Sequence, residues 1–165
     1  MNKKGFTLVE LLLYLGLAAA MLLAVSVFLS VIMQSRIKNQ TVAEVEQQGW
    51  QIMQLMTQTI RNSEAINSPS AGGTASTLSL QQTSAPVNPT IFDLSGTTIR
   101  ITEGTGSPID LNSTKVEVSA LNIENLSRTN TSGNIRIWFT ASHINPGSRK
   151  EYDYTKTFYG SASLR

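Results

Sequence analysis

The chain has 165 residues, of which 41% are hydrophobic and only 15% are charged, and it contains no cysteine. This length suits one soluble domain of modest size beside an apolar segment, and it disfavours a large active-site scaffold. The lack of cysteine excludes disulfides and thiolate metal sites.

The charge balance gives no reason to expect a nucleic-acid partner. Thirteen Lys and Arg residues stand against eleven Asp and Glu residues, for a formal net charge of +2. Lys3 and Lys4 supply both of the extra positive charges, and they lie in a short leader that we expect to be removed. The remaining chain is then balanced, at eleven residues of each sign.

The first long feature is an apolar run at residues 11–33, which contains no charged residue and is rich in Leu, Ala, Val and Met. A helix of this length rises about 1.5 Å per residue and therefore spans the ~30 Å of bilayer hydrocarbon. Lys3 and Lys4 before the run favour a cytoplasmic N-terminus, although Arg36 and Lys38 on the far side oppose that orientation. The run predicts a transmembrane helix.

Helical periodicity continues beyond the membrane, up to about Ile66. Apolar and small residues recur on one face at positions Ile37, Thr41, Val45, Gly49, Ile52, Met56 and Ile60. The opposite face is polar, with Lys38, Glu44, Gln47, Gln51, Gln54, Gln58 and Arg61. This pattern predicts an amphipathic second half that lies on a soluble domain, followed by a breaker-rich loop at residues 67–73.

The rest of the chain predicts β-strands. Short β-prone runs occupy residues 77–82, 91–94, 98–103, 115–121, 135–141 and 152–159, and several of them alternate apolar and polar side chains. Turn residues at 95–96 and 132–134 indicate antiparallel hairpins. We therefore expect an α+β fold in which the long N-terminal helix packs on one small antiparallel sheet.

The N-terminal string from Lys3 to Leu11 places a basic leader, Gly5 and the acidic Glu10 directly before the apolar run. A carboxylate at the margin of a membrane-crossing helix costs roughly 2 to 3 kcal/mol if it is unpaired, so it normally marks a partner. A small residue such as Gly5 lets a peptidase approach the backbone closely. Because the apolar run follows this point, cleavage would leave it in the product, unlike a secretory signal peptide.

These residues resemble the type III signal sequence of the type IV pilin family, which includes pilus subunits and the pseudopilins of type II secretion. The resemblance implies that a prepilin peptidase cuts between Gly5 and Phe6 and N-methylates Phe6. It also implies that Glu10 pairs with the N-terminal amine of an adjacent subunit and so sets the register of the filament. No cofactor and no enzymatic activity are implied.

A looser likeness extends over the later chain. Residues 47–66 are similar to the helix exit of minor subunits, namely the J-type pseudopilin and the W-type minor pilin. Residues 17–33 contain no proline or glycine, whereas major pilins often have such a break in this helix. This difference, together with the absence of cysteine, favours a minor subunit or pseudopilin over a bulk fibre subunit.

The implied organisation has four parts: a cleaved leader at 1–5, a membrane or filament-core helix at 6–33, its amphipathic continuation at 34–66 and an extracytoplasmic β-rich domain at 67–165. The protein would sit in the inner membrane as a single-pass subunit and then enter an extracytoplasmic filament. Its expected partners are the prepilin peptidase, other pilin subunits, the inner-membrane assembly platform and membrane lipid.

Several alternatives stay open. The protein could be an uncleaved single-pass surface or binding protein, in which Glu10 only reaches the membrane interface. Ala18, Ala19 and Ala20 could form a secretory cleavage site, but the apolar run continues to Met33. A pilin-like subunit of a DNA-uptake system, with DNA as a possible but not favoured partner, is a further alternative.

Other candidate residues have ordinary structural interpretations. His143 is the only histidine and is expected at a strand end or in a loop, since too few ligands accompany it for zinc or for a catalytic triad. A set of aromatic and basic residues could form a binding platform, although packing explains them more simply: Trp50, Trp138, Tyr152, Tyr154, Phe158, Tyr159, Arg136, Arg149 and Lys150. Four Asn-X-Ser/Thr triplets, which begin at Asn39, Asn112, Asn125 and Asn130, are given no function.

Overall fold

A computed structural model describes residues 5, 7–128 and 133–165. Within these residues, one helix, α1 (Leu8–Arg61), is followed by nine strands, with a short 3-10 turn (Ala85–Val87) between the third and the fourth. The strands are β1 (Ala65–Ser68), β2 (Thr74–Ala75), β3 (Leu78–Gln81), β4 (Thr90–Ser95), β5 (Thr98–Glu103), β6 (Ile109–Asp110), β7 (Val116–Asn125), β8 (Asn134–His143) and β9 (Thr155–Ser163). The predicted α+β class, with a long helix on antiparallel strands, is confirmed.

The helix is continuous over 54 residues, about 81 Å at the usual rise. It ends at Arg61, so the prediction that it continues to about Ile66 is wrong. The amide of Asn62 caps the last turn by donating to the Gln58 carbonyl at 3.1 Å, and the Glu64 amide then donates to the Gln81 carbonyl at 2.9 Å. Sheet pairing therefore begins where helical periodicity alone predicts another turn.

The strands form two antiparallel sheets, whereas the sequence predicted one. The first sheet has the order β1-β3-β4-β5-β6 and the second has the order β2-β7-β8-β9. The turn predicted at residues 95–96 does join an antiparallel hairpin, β4 with β5. Strands β7 and β8 also pair antiparallel, as expected, although the turn predicted at 132–134 lies partly outside the described residues.

The second half of α1 packs on the four-stranded sheet. Its buried residues are Thr41, Val45, Gly49, Ile52, Met53, Met56 and Ile60, which confirms most of the predicted apolar face and adds Met53. The backbones approach closely at two glycines, because a Cβ on Gly49 would lie 2.2 Å from the Phe158 ring and one on Gly160 would lie 2.3 Å from Met53 Sδ. Helix and sheets share one hydrophobic core.

The helix also holds the β domain through polar contacts. Gln48 Nε2 donates to Ser113 Oγ at 2.7 Å, and the Ser113 amide donates back to Gln48 Oε1 at 2.9 Å. Glu44 and Lys38, which were predicted on the polar face, reach residues of the β domain as well. Only part of the predicted polar face is therefore directed to solvent.

Candidate functional site

The first half of α1 is a bare apolar rod. Every described residue from 7 to 36 is exposed, and the exposed fraction reaches 77% at Leu8, 71% at Leu22 and 65% at Phe28. Among the described residues, α1 is the helix long and apolar enough to cross a membrane, and none of its most apolar window is buried within this chain. So large an apolar surface must be covered by lipid or by other protein.

The start of this rod is set by Thr7. Its backbone is extended (φ −82°, ψ 149°), and its Oγ1 accepts a hydrogen bond from the Glu10 amide at 3.3 Å, which is an N-cap interaction. Glu10 consequently lies in the first helical turn, where the helix dipole favours a negative charge. Its side chain is exposed and available to a partner.

Gly5 lies two residues before the cap, in exposed, non-helical chain, and a Cβ placed there would meet no atom within 4 Å. Exposed backbone outside a helix is accessible to a peptidase. The structure thus brings the predicted cleavage residue Gly5 and the acid Glu10 to the same end of the helix. Phe6, Lys3 and Lys4, the other predicted residues of this region, lie outside the described residues.

A second cluster of charged residues joins α1 to the β domain. Glu44 Oε1 accepts from Lys115 Nζ at 2.8 Å, and its Oε2 lies 3.3 Å from His143 Nε2. The hydrogen bond from Lys115 holds the pKa of Glu44 below its ordinary value. His143 ends β8, as the sequence predicted, and its ring stacks on Tyr152 with a centroid separation of 5.4 Å. The interface beside them holds a cavity of about 270 Å³.

Glu46, two residues after Glu44 on α1, forms a similar bridge to β9. It accepts from Lys156 Nζ at 2.7 Å and from the Tyr154 hydroxyl at 3.0 Å. The Lys156 hydrogen bond lowers the pKa of Glu46, and in return the pKa of Lys156 is raised. Both carboxylates of this stretch of helix therefore serve to fasten the β domain to α1.

The aromatic and basic residues that could form a binding platform do not lie on one surface. Phe158 is buried in the core, where it stacks on Phe139, and Trp50 contacts its edge from the helix. Trp138 lies beneath the guanidinium of Arg136, which pairs with Glu124. The aromatic residues are thus dispersed over the core, the helix surface and an open sheet face; packing in the core accounts for Phe158, whereas Trp50 and Tyr159 are 54% and 68% exposed.

Two buried asparagines, which the sequence suggested only as chance glycosylation triplets, have structural roles. Asn112 Oδ1 accepts from the Ile99 amide at 2.8 Å, and its Nδ2 donates to the Val116 carbonyl at 2.6 Å, so it ties β5 of one sheet to β7 of the other. Asn125 Nδ2 donates to the Pro69 carbonyl at 2.7 Å. These structural roles become visible only from the burial of Asn112 and Asn125, whose exposed fractions are 9% and 3%. No sequence pattern would have found them.

Comparisons with known proteins give one match. Residues 1–26 match the family model described as the prokaryotic N-terminal methylation motif. No curated protein and no solved structure matches the chain. The chain therefore carries a prepilin-type N-terminus and a membrane-spanning apolar helix on an α+β, pilin-like fold, and the motif supports processing by a prepilin peptidase and assembly with other pilins.

Proposed function

We propose that this protein is a minor pilin or pseudopilin that is assembled into a type IV pilus or a type II secretion pseudopilus. The observation that carries the proposal is the exposed apolar half of α1 directly behind a methylation motif. A rod of this kind is compatible with two environments, a bilayer before assembly and a bundle of like helices afterwards. Its task is assembly, and we assign it no catalysis.

Processing would cut the chain between Gly5 and Phe6 and methylate the new amine of Phe6. The exposed, unobstructed backbone at Gly5 supports this position, because a bulky side chain there would separate the peptide bond from a membrane-embedded peptidase. Lys3 and Lys4 would hold the leader at the cytoplasmic surface. The helix begins after its N-cap at Thr7, and Gly5 lies before it in non-helical chain.

Glu10 would then register neighbouring subunits. Its carboxylate costs roughly 2 to 3 kcal/mol when it is unpaired at the membrane margin, and an amine from an adjacent subunit removes that cost. Glu10 is exposed, so its carboxylate is accessible to a group from another chain. Because this pair would form only in the filament, assembly would remove the cost of the unpaired carboxylate.

A minor role, rather than that of the bulk subunit, is supported by two features. Helix α1 is continuous from Leu8 to Arg61, without a break within the apolar segment, and the chain has no cysteine for a disulfide-closed loop. Residues 17–33 contain no proline or glycine at which the helix could melt locally during assembly. This fits a subunit that starts, caps or decorates a filament.

The proposal is tested by intact-mass and N-terminal peptide analysis of the protein from membranes, with and without a co-expressed prepilin peptidase. We expect a chain that begins at Phe6 and carries one methyl group when the peptidase is present. A chain that still begins at Met1 in the presence of an active peptidase would instead identify an uncleaved membrane anchor. A known prepilin in the same cells serves as the control for peptidase activity.

A further inference from the structure

The β8–β9 loop, residues 144–154, rests against α1 at the point where the helix leaves the apolar run. Lys38 Nζ donates to the backbone carbonyl of Lys150 at 3.3 Å and also to that of Asp153. Lys150 and Glu151 line a shallow pocket with the helix residues Gln34 and Ser35. A loop more than a hundred residues away in sequence is thus fastened to the helix immediately beyond Met33.

This position corresponds to the lipid headgroup layer. When the apolar run up to Met33 fills the hydrocarbon, residues 34–39 cover the next ~9 Å of the helix, and the headgroup layer on each side of a bilayer is about 5 to 8 Å thick. The loop contacts the helix at this same level. Exposed residues of the loop, among them Gly147, Ser148, Arg149 and Lys150, would therefore lie at the depth of the lipid phosphates.

The charge at this level is positive. Residues 34–39 and 144–153 together contain four cations, Arg36, Lys38, Arg149 and Lys150, against the two anions Glu151 and Asp153. Arg149 is paired with Glu151, but in the described part of the chain neither Arg36 nor Lys150 forms an ion pair. Most other cations of the β domain are paired, such as Lys115, Arg136 and Lys156.

We infer that the β8–β9 loop is a contact surface for anionic phospholipid headgroups, with Arg36 and Lys150 as the main phosphate contacts and Lys38 as the residue that holds the loop in place. The inference rests on the proposed function, since it requires the apolar run to lie in a bilayer. The contact would hold the β domain in one orientation above the membrane before assembly. Because headgroup contacts are ionic and exposed, they are broken readily when the subunit leaves the bilayer.

The test uses the full mature chain in lipid vesicles. The absence of native cysteine permits single labels at Gly147→Cys, in the loop, and at Gln58→Cys, about 38 Å beyond Met33 along the helix. A Cβ at position 147 would meet only the Arg149 side chain, at 3.7 Å or more, so this label fits. A quencher attached to lipid headgroups then reports contact, in neutral phosphatidylcholine and in mixtures with anionic phosphatidylglycerol.

We expect the loop label to be quenched more strongly in the anionic vesicles and the Gln58→Cys label to be indifferent to lipid charge. Adding Lys150→Gln should reduce the population of loops in contact with headgroups by roughly fivefold in anionic vesicles. High salt should also reduce this population. The control Arg61→Gln removes an exposed cation from the far end of the helix and should have no effect.

The experiment distinguishes a failure of the headgroup contact from a failure of the proposed function. A protein that floats with the vesicles, but whose loop label ignores lipid charge, salt and Lys150→Gln, overturns the headgroup contact alone. A protein that does not float with vesicles at all overturns both this inference and the proposed membrane-spanning function.

Discussion

Replacing Gly49 with alanine should destabilise the protein, although alanine is the better helix former. In an exposed helix interior this change would gain about 1 kcal/mol. Here the new Cβ would lie 2.2 Å from two carbons of the Phe158 ring, which is 1% exposed. The ring cannot retreat, because it stacks on Phe139 with a centroid separation of 5.3 Å and packs perpendicular to Trp50 with a centroid separation of 5.7 Å.

Overpacking of a filled core costs about 1 to 3 kcal/mol, and a contact this short requires the upper part of that range. After subtraction of the helix-propensity gain, we expect a net loss of about 2 kcal/mol in the free energy of unfolding. The measurement is urea unfolding of the mature chain in detergent micelles, followed by the fluorescence of Trp50 and Trp138.

Two controls separate steric conflict from other effects. Gly160→Ala also meets a close neighbour, Met53 Sδ at 2.3 Å, but the flexible methionine can rotate away, so we expect a loss below about 1 kcal/mol. Combining Gly49→Ala with Phe158→Leu should cost less than the sum of the two single changes, because the smaller side chain makes room. An unchanged or increased stability of Gly49→Ala would refute the close helix–sheet contact.

Three further substitutions test a buried asparagine, an ion pair and the cleavage position. Asn112→Ala should lower the free energy of unfolding by about 1 to 3 kcal/mol in the same urea experiment, because it leaves buried backbone groups without partners; equal stability would contradict the bridge between the sheets. Glu44→Gln should remove stability that the pair with Lys115 contributes above pH 4.5 and that is lost as pH falls through the lowered pKa of Glu44. The acid limb of its unfolding at descending pH should therefore be flatter than that of the wild type, and an unchanged slope would contradict the pair. Gly5→Leu should block processing, and a mature mass equal to that of the wild type would contradict the cleavage position.

Much of the fold could be predicted from local patterns. The buried face of α1 follows a helical period that is visible in the sequence, with Val45, Ile52 and Ile60 all buried. The strand at Thr98–Glu103 has the predicted limits, because its alternation and its turn residues are both local signals. These features depend on neighbours within a few residues, which a sequence displays directly.

Features that depend on distant pairing could not be predicted. The sequence around Ile66 continues the helical period, yet Ile66 pairs with Leu80 in β1 and β3. Strands β2 and β6 have two residues each, too few to show a period, and the division into two sheets depends on which edges meet. A tertiary contact overrides a weak local preference in each case.

The candidate site shows the same division. Gly5 and Glu10 were predicted from a local string, and the structure adds the cap at Thr7 that positions them. The contact of the β8–β9 loop with Lys38 joins residues that are 112 positions apart, so it became visible only in the fold. Local chemistry marks the start of the helix, whereas the proposed headgroup-contact surface combines two distant parts of the chain.

The most direct test of the central claim is the incorporation of Glu10 variants into filaments. Glu10→Ala and Glu10→Gln should insert into the membrane like the wild type, but their share in the filament fraction should fall by more than about tenfold, because the amine of the adjacent subunit would lack its partner at a cost of roughly 2 to 3 kcal/mol. Glu10→Asp, which keeps the charge, and Glu64→Ala, which removes an exposed acid beyond the helix, should retain most of the incorporation. Normal incorporation of Glu10→Ala would contradict the proposal that this carboxylate registers the subunits.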